Sequence, residues 1–256
     1  MQQASVPYRN LCTQYYELDK PIISSDALTH YLECAKEAQG PILEPMCGTG
    51  RFLLPMLERG YIVTGFDYSP YMLDVCRKKS KELGLNPELV EATFETFIPR
   101  SKYNLIFIPS GSFCLLTDQK QILQALKFIS SWLAPKGKFI FEVETLKSIE
   151  TQQGVWKGSW VSKPNGSLIV LNTLSKFDET SQIKTILCRY ELWERNAISL
   201  VEVENFQLRL YEPSEIESLL YQSGFKVLAK WQAEPHKKEK VGVDASVIVY
   251  ECEQSL

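Results

Sequence analysis

No stretch of this sequence approaches the roughly 18 consecutive apolar residues that a membrane-spanning helix needs, and the mean hydropathy is −0.15. No membrane partner is expected. Histidine occurs only twice, at His30 and His236, which argues against a histidine-ligated metal centre. The seven cysteines stand singly, and the nearest two, Cys34 and Cys47, are 13 positions apart. With no CxxC pair and an odd, scattered set, neither a thiolate zinc site nor a disulfide scaffold is expected; free thiols suit a reducing, cytoplasmic compartment. No metal is expected. Charge of neither sign dominates, with 28 Lys and Arg against 31 Asp and Glu. The pI is near 5.6, so the electrostatic footprint of a nucleic-acid binder is missing. The one basic cluster, Arg77-Lys78-Lys79-Ser80-Lys81, reads as a solvated helix face. The first ten residues lack a charged leader followed by an apolar stretch, so no secretory signal is expected. There are no repeats and no low-complexity tracts.

What is present is a 256-residue chain, 45% apolar, long enough to bury a full core. Residues 25–39 carry Ala27, Leu28, Tyr31, Leu32 and Ala35 at helical spacing, and Gly40 stops the helix. Apolar runs at 42–44, 61–66, 88–90, 105–108 and 138–143 predict five strands. Helices at 52–59, 69–83 and after Asp118 fall between them. The last of these is expected to end at Pro135-Lys136-Gly137. Strands alternating with helices predict a doubly wound, mostly parallel α/β sheet.

The pattern changes after about residue 150. Trp156 to Tyr211 shows no helical period. Residues 167–177, 183–193 and 199–210 are rich in Ile, Val, Leu, Thr and Tyr, with turn residues between them. In the last of these, Val201, Val203, Phe206, Leu208 and Leu210 are the apolar positions. An antiparallel layer of three or four strands is expected. The α/β style then returns. Ser214 and Glu217 have capping-box spacing, and strands are predicted at 225–231 and 245–251, with a charged loop at 233–244. The expected fold is a seven-stranded Rossmann-like sheet with an antiparallel β insertion after its fifth strand. Its domains are residues 1–150 with 212–256, and the insertion 151–211.

Chemistry concentrates at Ile42-Leu43-Glu44-Pro45-Met46-Cys47-Gly48-Thr49-Gly50-Arg51-Phe52. A strand ends in an acid, a glycine turn follows and a helix starts. Glycine lets backbone approach a ligand closely, and a helix N-terminus offers free N–H groups to an anion. A second acid, Asp67, ends the next strand, 17 residues after Gly50, where a doubly wound sheet can bind both hydroxyls of a ribose. The third glycine of the nicotinamide fingerprint is missing, and so is the GK[ST] of a nucleotide P-loop.

On these residues the sequence resembles the class I S-adenosylmethionine-dependent methyltransferases. LEPMCGTGRF is similar to their first motif, with Met46 in place of its first glycine. FDYSPYML is similar to the second, LIFIPSGSF to the fourth, and LAPKGKFIFEVE to the segment entering the fifth strand. The resemblance covers roughly 8–150 and 212–256. It is greatest to the small-molecule branch, which includes sugar N,N-dimethyltransferases and glycine N-methyltransferase-like enzymes and carries a comparable β insertion. It implies S-adenosyl-L-methionine as cofactor, with Glu44 and the turn Met46, Cys47, Gly48, Thr49 and Gly50 around the methionine moiety, and Asp67 on the ribose. Tyr68 and Met72 would pack near the adenine. Thr93 and Phe94 fall in the third motif, with Thr93 where an acid usually meets the adenine amino group. Ile108 and Ser110 would line the donor site, and Ser112 and Phe113 would face the substrate. Tyr15 and Tyr16 resemble an N-terminal aromatic element that closes over the sulfonium, Tyr15 toward the cofactor and Tyr16 toward catalysis. Glu142 and Glu144, near the end of a cleft-facing strand, could orient an amine. Cys47 needs only a backbone role, and His30 reads as structural.

The implied activity is methyl transfer to nitrogen or oxygen of a small molecule, by a monomer or a homodimer. Two rival readings stand beside it. A methyltransferase acting on RNA or protein is opposed by the acidic pI and the lack of an RNA module. A donor-binding protein without catalysis is opposed only as far as binding goes, by the intact acids and glycines.

Overall fold

The computed structural model describes residues 8–20, 23–233, 241–242 and 244–255. In chain order, α1 (Asn10–Asp19) and α2 (Ser25–Ala38) precede β1 (Ile42–Pro45). Then come α3 (Leu53–Glu58), β2 (Val63–Asp67), α4 (Pro70–Glu82), β3 (Glu88–Glu91), β4 (Tyr103–Ile108), α5 (Gln119–Trp132) and β5 (Leu133–Glu144). Four strands follow: β6 (Trp156–Ser162), β7 (Leu168–Asp178), β8 (Ile183–Glu194) and β9 (Ala197–Arg209). The chain closes with α6 (Pro213–Gln222), β10 (Phe225–Gln232) and β11 (Val247–Gln254).

Seven strands form one sheet in the order β10-β11-β5-β4-β1-β2-β3. Every pair in it is parallel except those made by β11, which is antiparallel to both β5 and β10. The central strands are apolar throughout because both faces are covered. Successive side chains point to opposite faces, and the core divides accordingly. Ile106, Ile108, Phe139 and Phe141 pack with Leu126 of α5 and Leu220 of α6. Leu105, Phe107 and Ile140 pack on the other side with Tyr31 of α2, Leu54 of α3 and Cys76 of α4. The direction of winding reverses between β1 and β4, which opens a crevice beyond their C-terminal ends.

The insertion is a separate antiparallel sheet, β6-β7-β8-β9. Helix α1 docks on it, with Leu11, Cys12 and Tyr15 meeting Ile169, Cys188 and Tyr190. The apolar pattern of β9 misleads at one point. Val201 and Val203 are exposed, whereas Glu204 is only 4% exposed on the inner face. The alternation is real, but its buried phase here is the acidic one.

Several boundaries differ from expectation, β11 among them at Val247–Gln254 rather than 245–251, and two have an evident physical cause. Helix α5 ends at Trp132, and β5 begins at once, with Leu133 pairing with Tyr103. Pro135-Lys136-Gly137 is an irregularity within the strand. The register shifts there, and a Cβ on Gly137 would lie 2.9 Å from the carbonyl oxygens of Ala134 and Tyr103. Helix α6 starts one residue before Ser214. Its N-cap is Glu212, without a side-chain cap bond, and Pro213 takes the first turn, which suits a residue with no N–H to satisfy. The expected capping box therefore does not form. His236 and most of the charged loop lie outside the described residues. No helix among those described is long and apolar enough to cross a membrane.

Candidate active site

The crevice is built by the turn after β1. Met46, Gly48 and Gly50 have φ of 57°, 54° and 76°, a left-handed residue at every second position. Such alternation turns successive N–H groups toward one side and makes a concavity suited to polar or anionic groups. Gly48 would carry a Cβ into open space, while one on Gly50 would lie 2.5 Å from Cys76 Sγ. Gly50 thus serves both the turn and the contact with α4. Met46 bears the left-handed cost of about 1–2 kcal/mol.

The two acids stand on either side of this turn. Asp67, at the end of β2, accepts from Gly48 N–H and Ser69 N–H, both at 2.8 Å. Burial pushes its pKa up, opposed by N–H bonds from Ser69, Gly48 and Tyr68. A carboxylate has about four acceptor sites, and these N–H bonds do not fill them, so capacity remains for a further hydroxyl donor. Glu44, at the end of β1, is 2% exposed, and its Oε2 has no hydrogen-bond partner. Burial, and next the nearby Asp67, push its pKa well up; Leu53 N–H and Arg51 oppose them. A buried, unpartnered carboxylate oxygen is costly and is what a donor's ammonium group would satisfy. Thr49 Oγ1 is likewise buried without a partner. The residues present fit S-adenosylmethionine.

Tyr15 and Tyr16 diverge, as neighbours on a helix must, by about 100°. Tyr16 is half-buried, and its hydroxyl accepts from Arg51 Nη1 at 3.2 Å. Tyr15 turns the other way. Its hydroxyl bonds Ser159 Oγ at 2.8 Å, and its ring lies 5.9 Å from Tyr190, so its side chain belongs to the docking of α1 on the β layer. Met72 is buried and Tyr68 is 48% exposed. Thr93 lies two residues past the end of β3, and its carbonyl accepts from Thr96 and Phe97 N–H. Phe94 lies 5.3 Å from Phe66 and 6.2 Å from Trp132, and Phe113 is fully buried 5.0 Å from Phe141. The structure thus places both rings in the core, Phe113 not facing an open cleft. Ile108 is also fully buried, and Ser112 opens a 3-10 turn that runs to Leu115. Cys47 faces β2 beneath the turn, and burial pushes its thiol well up, leaving it a poor nucleophile.

Beside the glycine turn lies a cleft of about 440 Å³, lined among others by Arg51, Phe52, Ser110, Gly111, Glu142 and Glu144. Ser110 and Gly111 both have positive φ, 57° and 68°, and bend the chain at the end of β4 so that it clears the cleft. Glu142 is buried, and Tyr31 of α2 donates to its Oε1 at 2.7 Å. Glu144 is half-buried. Sequence reasoning missed Tyr31, which reads as an ordinary apolar-face residue of α2, and Arg51, which spacing alone does not distinguish from a solvated charge. It also missed Tyr8, which lies before any periodic segment. Among the described residues no group of three or more His, Cys, Asp or Glu side chains is placed to hold a metal ion.

Residues 42–137 match the family model of a methyltransferase domain. The chain is 23% identical over 207 residues to YqeM of Bacillus subtilis, provisionally named a methyltransferase, covering 79% of this chain and 80% of that protein. It is 32% identical over 95 residues to a ubiquinone biosynthesis O-methyltransferase of Saccharophagus degradans, covering 35% of this chain and 40% of that one. In structure it resembles an S-adenosylmethionine-dependent methyltransferase from Clostridium acetobutylicum, with a TM-score of 0.78, 18% identity and coverage of 94% and 96% of the two chains. It also resembles the sugar N-methyltransferase KedS8 from a Streptoalloteichus species, with a TM-score of 0.75, 14% identity and coverage of 98% and 94%.

Proposed function

We propose that this chain, an S-adenosylmethionine-dependent methyltransferase, acts on a nitrogen of a small amine-bearing acceptor held in the cleft beside the glycine turn. The observation that carries this reading is the pair Glu142 and Glu144 at the end of β5, both lining that cleft. When bound, the donor supplies an activated methyl group and its own leaving group, so the protein's part is alignment and exclusion of water. A cation entering the cleft meets two carboxylates and the guanidinium of Arg51. An amine reaches it mostly protonated and has to shed that proton to become a nucleophile; these carboxylates are the groups placed to accept it. Tyr31 fixes Glu142 from below. The structural neighbour KedS8, a sugar N-methyltransferase, supports a nitrogen acceptor. The test is transfer of a labelled methyl group to paired small acceptors that differ only in amine or hydroxyl. Amines are expected to be methylated, and Glu144→Gln to raise the acceptor KM by at least about tenfold, as loss of one charged contact worth about 1.5–3 kcal/mol implies. Methylation of the hydroxyl partners alone sinks the nitrogen reading and favours an O-methyltransferase.

In this reading, residues 1–150 and 212–256 hold the donor, and the β layer of 151–211 encloses the acceptor or joins two copies. The outward face of the layer exposes Trp156 at 52%, Trp160 at 64% and Val203 at 48%. Val203 lies on the opposite edge strand from the two tryptophans, and exposed apolar residues such as Trp156 and Trp160, two positions of one face of β6, mark association surfaces. A homodimer is expected by light scattering, and Trp160→Glu is expected to return the protein to a monomer. A wild-type monomer at high concentration removes this part. A cytoplasmic setting is in keeping with seven free, buried cysteines, since thiols survive where the compartment is reducing.

Tyr16 is the aromatic group set to close the donor site. Its hydroxyl already engages Arg51, and a contact made mainly in the transition state lowers kcat more than it raises the donor KM. Tyr16→Phe is expected to lower kcat roughly fivefold, the worth of a hydrogen bond of about 1 kcal/mol. Tyr15→Phe is expected to lower the melting temperature with kcat little changed. Steady-state kinetics on both variants decides the matter; a silent Tyr16→Phe ends the lid role of this residue.

A further inference from the structure

An unbroken series of hydrogen bonds runs from the β layer to the glycine turn. Glu204, buried on the inner face of β9, accepts from the N–H groups of Tyr8 and Arg9, each at 2.8 Å. The carbonyl of Tyr8 accepts from the Ser69 hydroxyl at 2.8 Å. Ser69 N–H donates to Asp67 Oδ1 at 2.8 Å, and Asp67 Oδ2 accepts from Gly48 N–H at 2.8 Å. The series begins on the insertion, passes through the segment before α1 and ends at the acid and the turn that form the donor crevice. Glu202 makes a separate bond, to Leu11 N–H at 2.7 Å, which does not lead to Ser69.

Docking α1 on the layer does not require these carboxylates. Leu11, Cys12 and Tyr15 already bury apolar surface there, and taking a carboxylate out of water is costly unless its partners are well placed. What Glu204 does hold is the backbone at Tyr8, whose φ of 55° is left-handed and uncommon outside glycine. That conformation presents the Tyr8 carbonyl to Ser69. The Ser69 hydroxyl also accepts from Met72 N–H at 3.3 Å, so a single side chain ties the start of α4 to the N-terminal segment.

We infer that Glu204 is a positioning residue for the donor site, acting through Tyr8 and Ser69 on the carboxylate of Asp67, so that the β layer helps set donor affinity. The inference rests on the reading of the crevice as the donor site. Because coupling between two sites is reciprocal, donor binding in turn tightens the seat of α1 on the layer.

The experiment measures binding of S-adenosylhomocysteine to the full chain by calorimetry, with the melting temperature of each ligand-free variant beside it. Glu204→Gln is expected to weaken binding five- to twentyfold, and Ser69→Ala to do the same. The double variant is expected to be no weaker than the worse single one, because both changes interrupt one series. Glu202→Gln is the control. It takes the charge from a similar cap on α1, and is expected to lower the melting temperature with binding within twofold of wild type. If Glu204→Gln lowers the melting temperature but leaves binding unchanged, Glu204 is only a helix cap and the inference is overturned. Additive losses in the double variant overturn it as well. Should Glu204→Gln fail to fold, Glu204→Asp, one methylene shorter, takes its place under the same criteria. Wild-type protein that does not bind S-adenosylhomocysteine overturns the donor reading itself, an outcome distinct from binding that is insensitive to Glu204.

Discussion

Asp67→Ala is expected to eliminate nearly all of the stabilisation that the donor or its product confers on the fold. In the ligand-free protein the carboxylate holds two backbone N–H groups, those of Gly48 and Ser69, and so determines the position of the turn; in the proposed reading it also offers acceptors to a ribose. Hydrogen bonds to a charged group contribute about 1.5–3 kcal/mol each, and two lost hydroxyl contacts correspond to a dissociation constant raised more than about 100-fold. Wild-type protein at ligand 100-fold above its dissociation constant gains about 2.7 kcal/mol, which for a domain of this size is roughly 5–10 °C in melting temperature. Asp67→Ala at the same ligand concentration is expected to show almost no shift, at most about 0.4 kcal/mol of stabilisation. Asp67→Asn, which keeps the shape and one acceptor oxygen, is expected to fall between. A wild-type melting temperature indifferent to S-adenosylhomocysteine, or an Asp67→Ala variant that still shows the full shift, contradicts the assignment of this crevice.

Glu44→Gln is expected to separate binding from stability. Glu44 is buried, carries an unpartnered oxygen and has its pKa pushed well above the ordinary value of 4.5, chiefly by burial and next by Asp67. Between 4.5 and the raised folded value, the native state holds a proton that the unfolded chain has released, so the contribution of this group to stability is lost as pH rises through that window. Ligand-free Glu44→Gln is expected to have a flatter pH profile than wild type and a melting temperature at pH 7 that is no lower. Donor binding runs the other way. An ammonium group seeks the charged carboxylate, so affinity for S-adenosylhomocysteine is expected to rise with pH across the same window, and Glu44→Gln to abolish that rise. Truncating one partner of a buried charged pair costs about 2–5 kcal/mol, so the variant is expected to bind at least about 30-fold more weakly. Calorimetry between pH 5 and 8 with paired thermal melts provides both curves. A Glu44→Gln variant that binds as wild type, or a wild-type affinity that falls over this range, rules out the role given to this residue.

Both of these acids were legible in the sequence because the information that marks them is local. A buried parallel strand is a short apolar run, the acid is the residue at which that run stops, and the turn shows itself as glycines at Gly48 and Gly50 that take positive φ. The sheet, with its α/β alternation and later antiparallel insertion, is legible for the same reason: each element is a periodicity over neighbouring residues. Local signals failed where two locally acceptable states competed. Pro135-Lys136-Gly137 looks like a boundary by composition but lies inside β5, because parallel pairing of Leu133 with Tyr103 extends the strand past it. In β9 the valines suggested the buried phase, yet Glu202 and Glu204 face the segment before α1 and its first turn, where unpaired N–H groups await acceptors.

By itself the sequence determined the order of the strands and helices, the crevice at the end of β1 and the two acids beside it, since chain periodicity, glycine backbone freedom and strand-end position are all properties of consecutive residues. Only the tertiary structure decided which side chains meet. Tyr31 reaches Glu142 across 111 positions and Tyr8 reaches Glu204 across 196. It also decided that Tyr16 rather than Tyr15 turns toward Arg51. Those pairings depend on how α1 and α2 pack against two different sheets. No period or spacing along the chain encodes that packing, because the contacts arise from burial of surfaces that are distant in sequence and complementary only once the layers have come together.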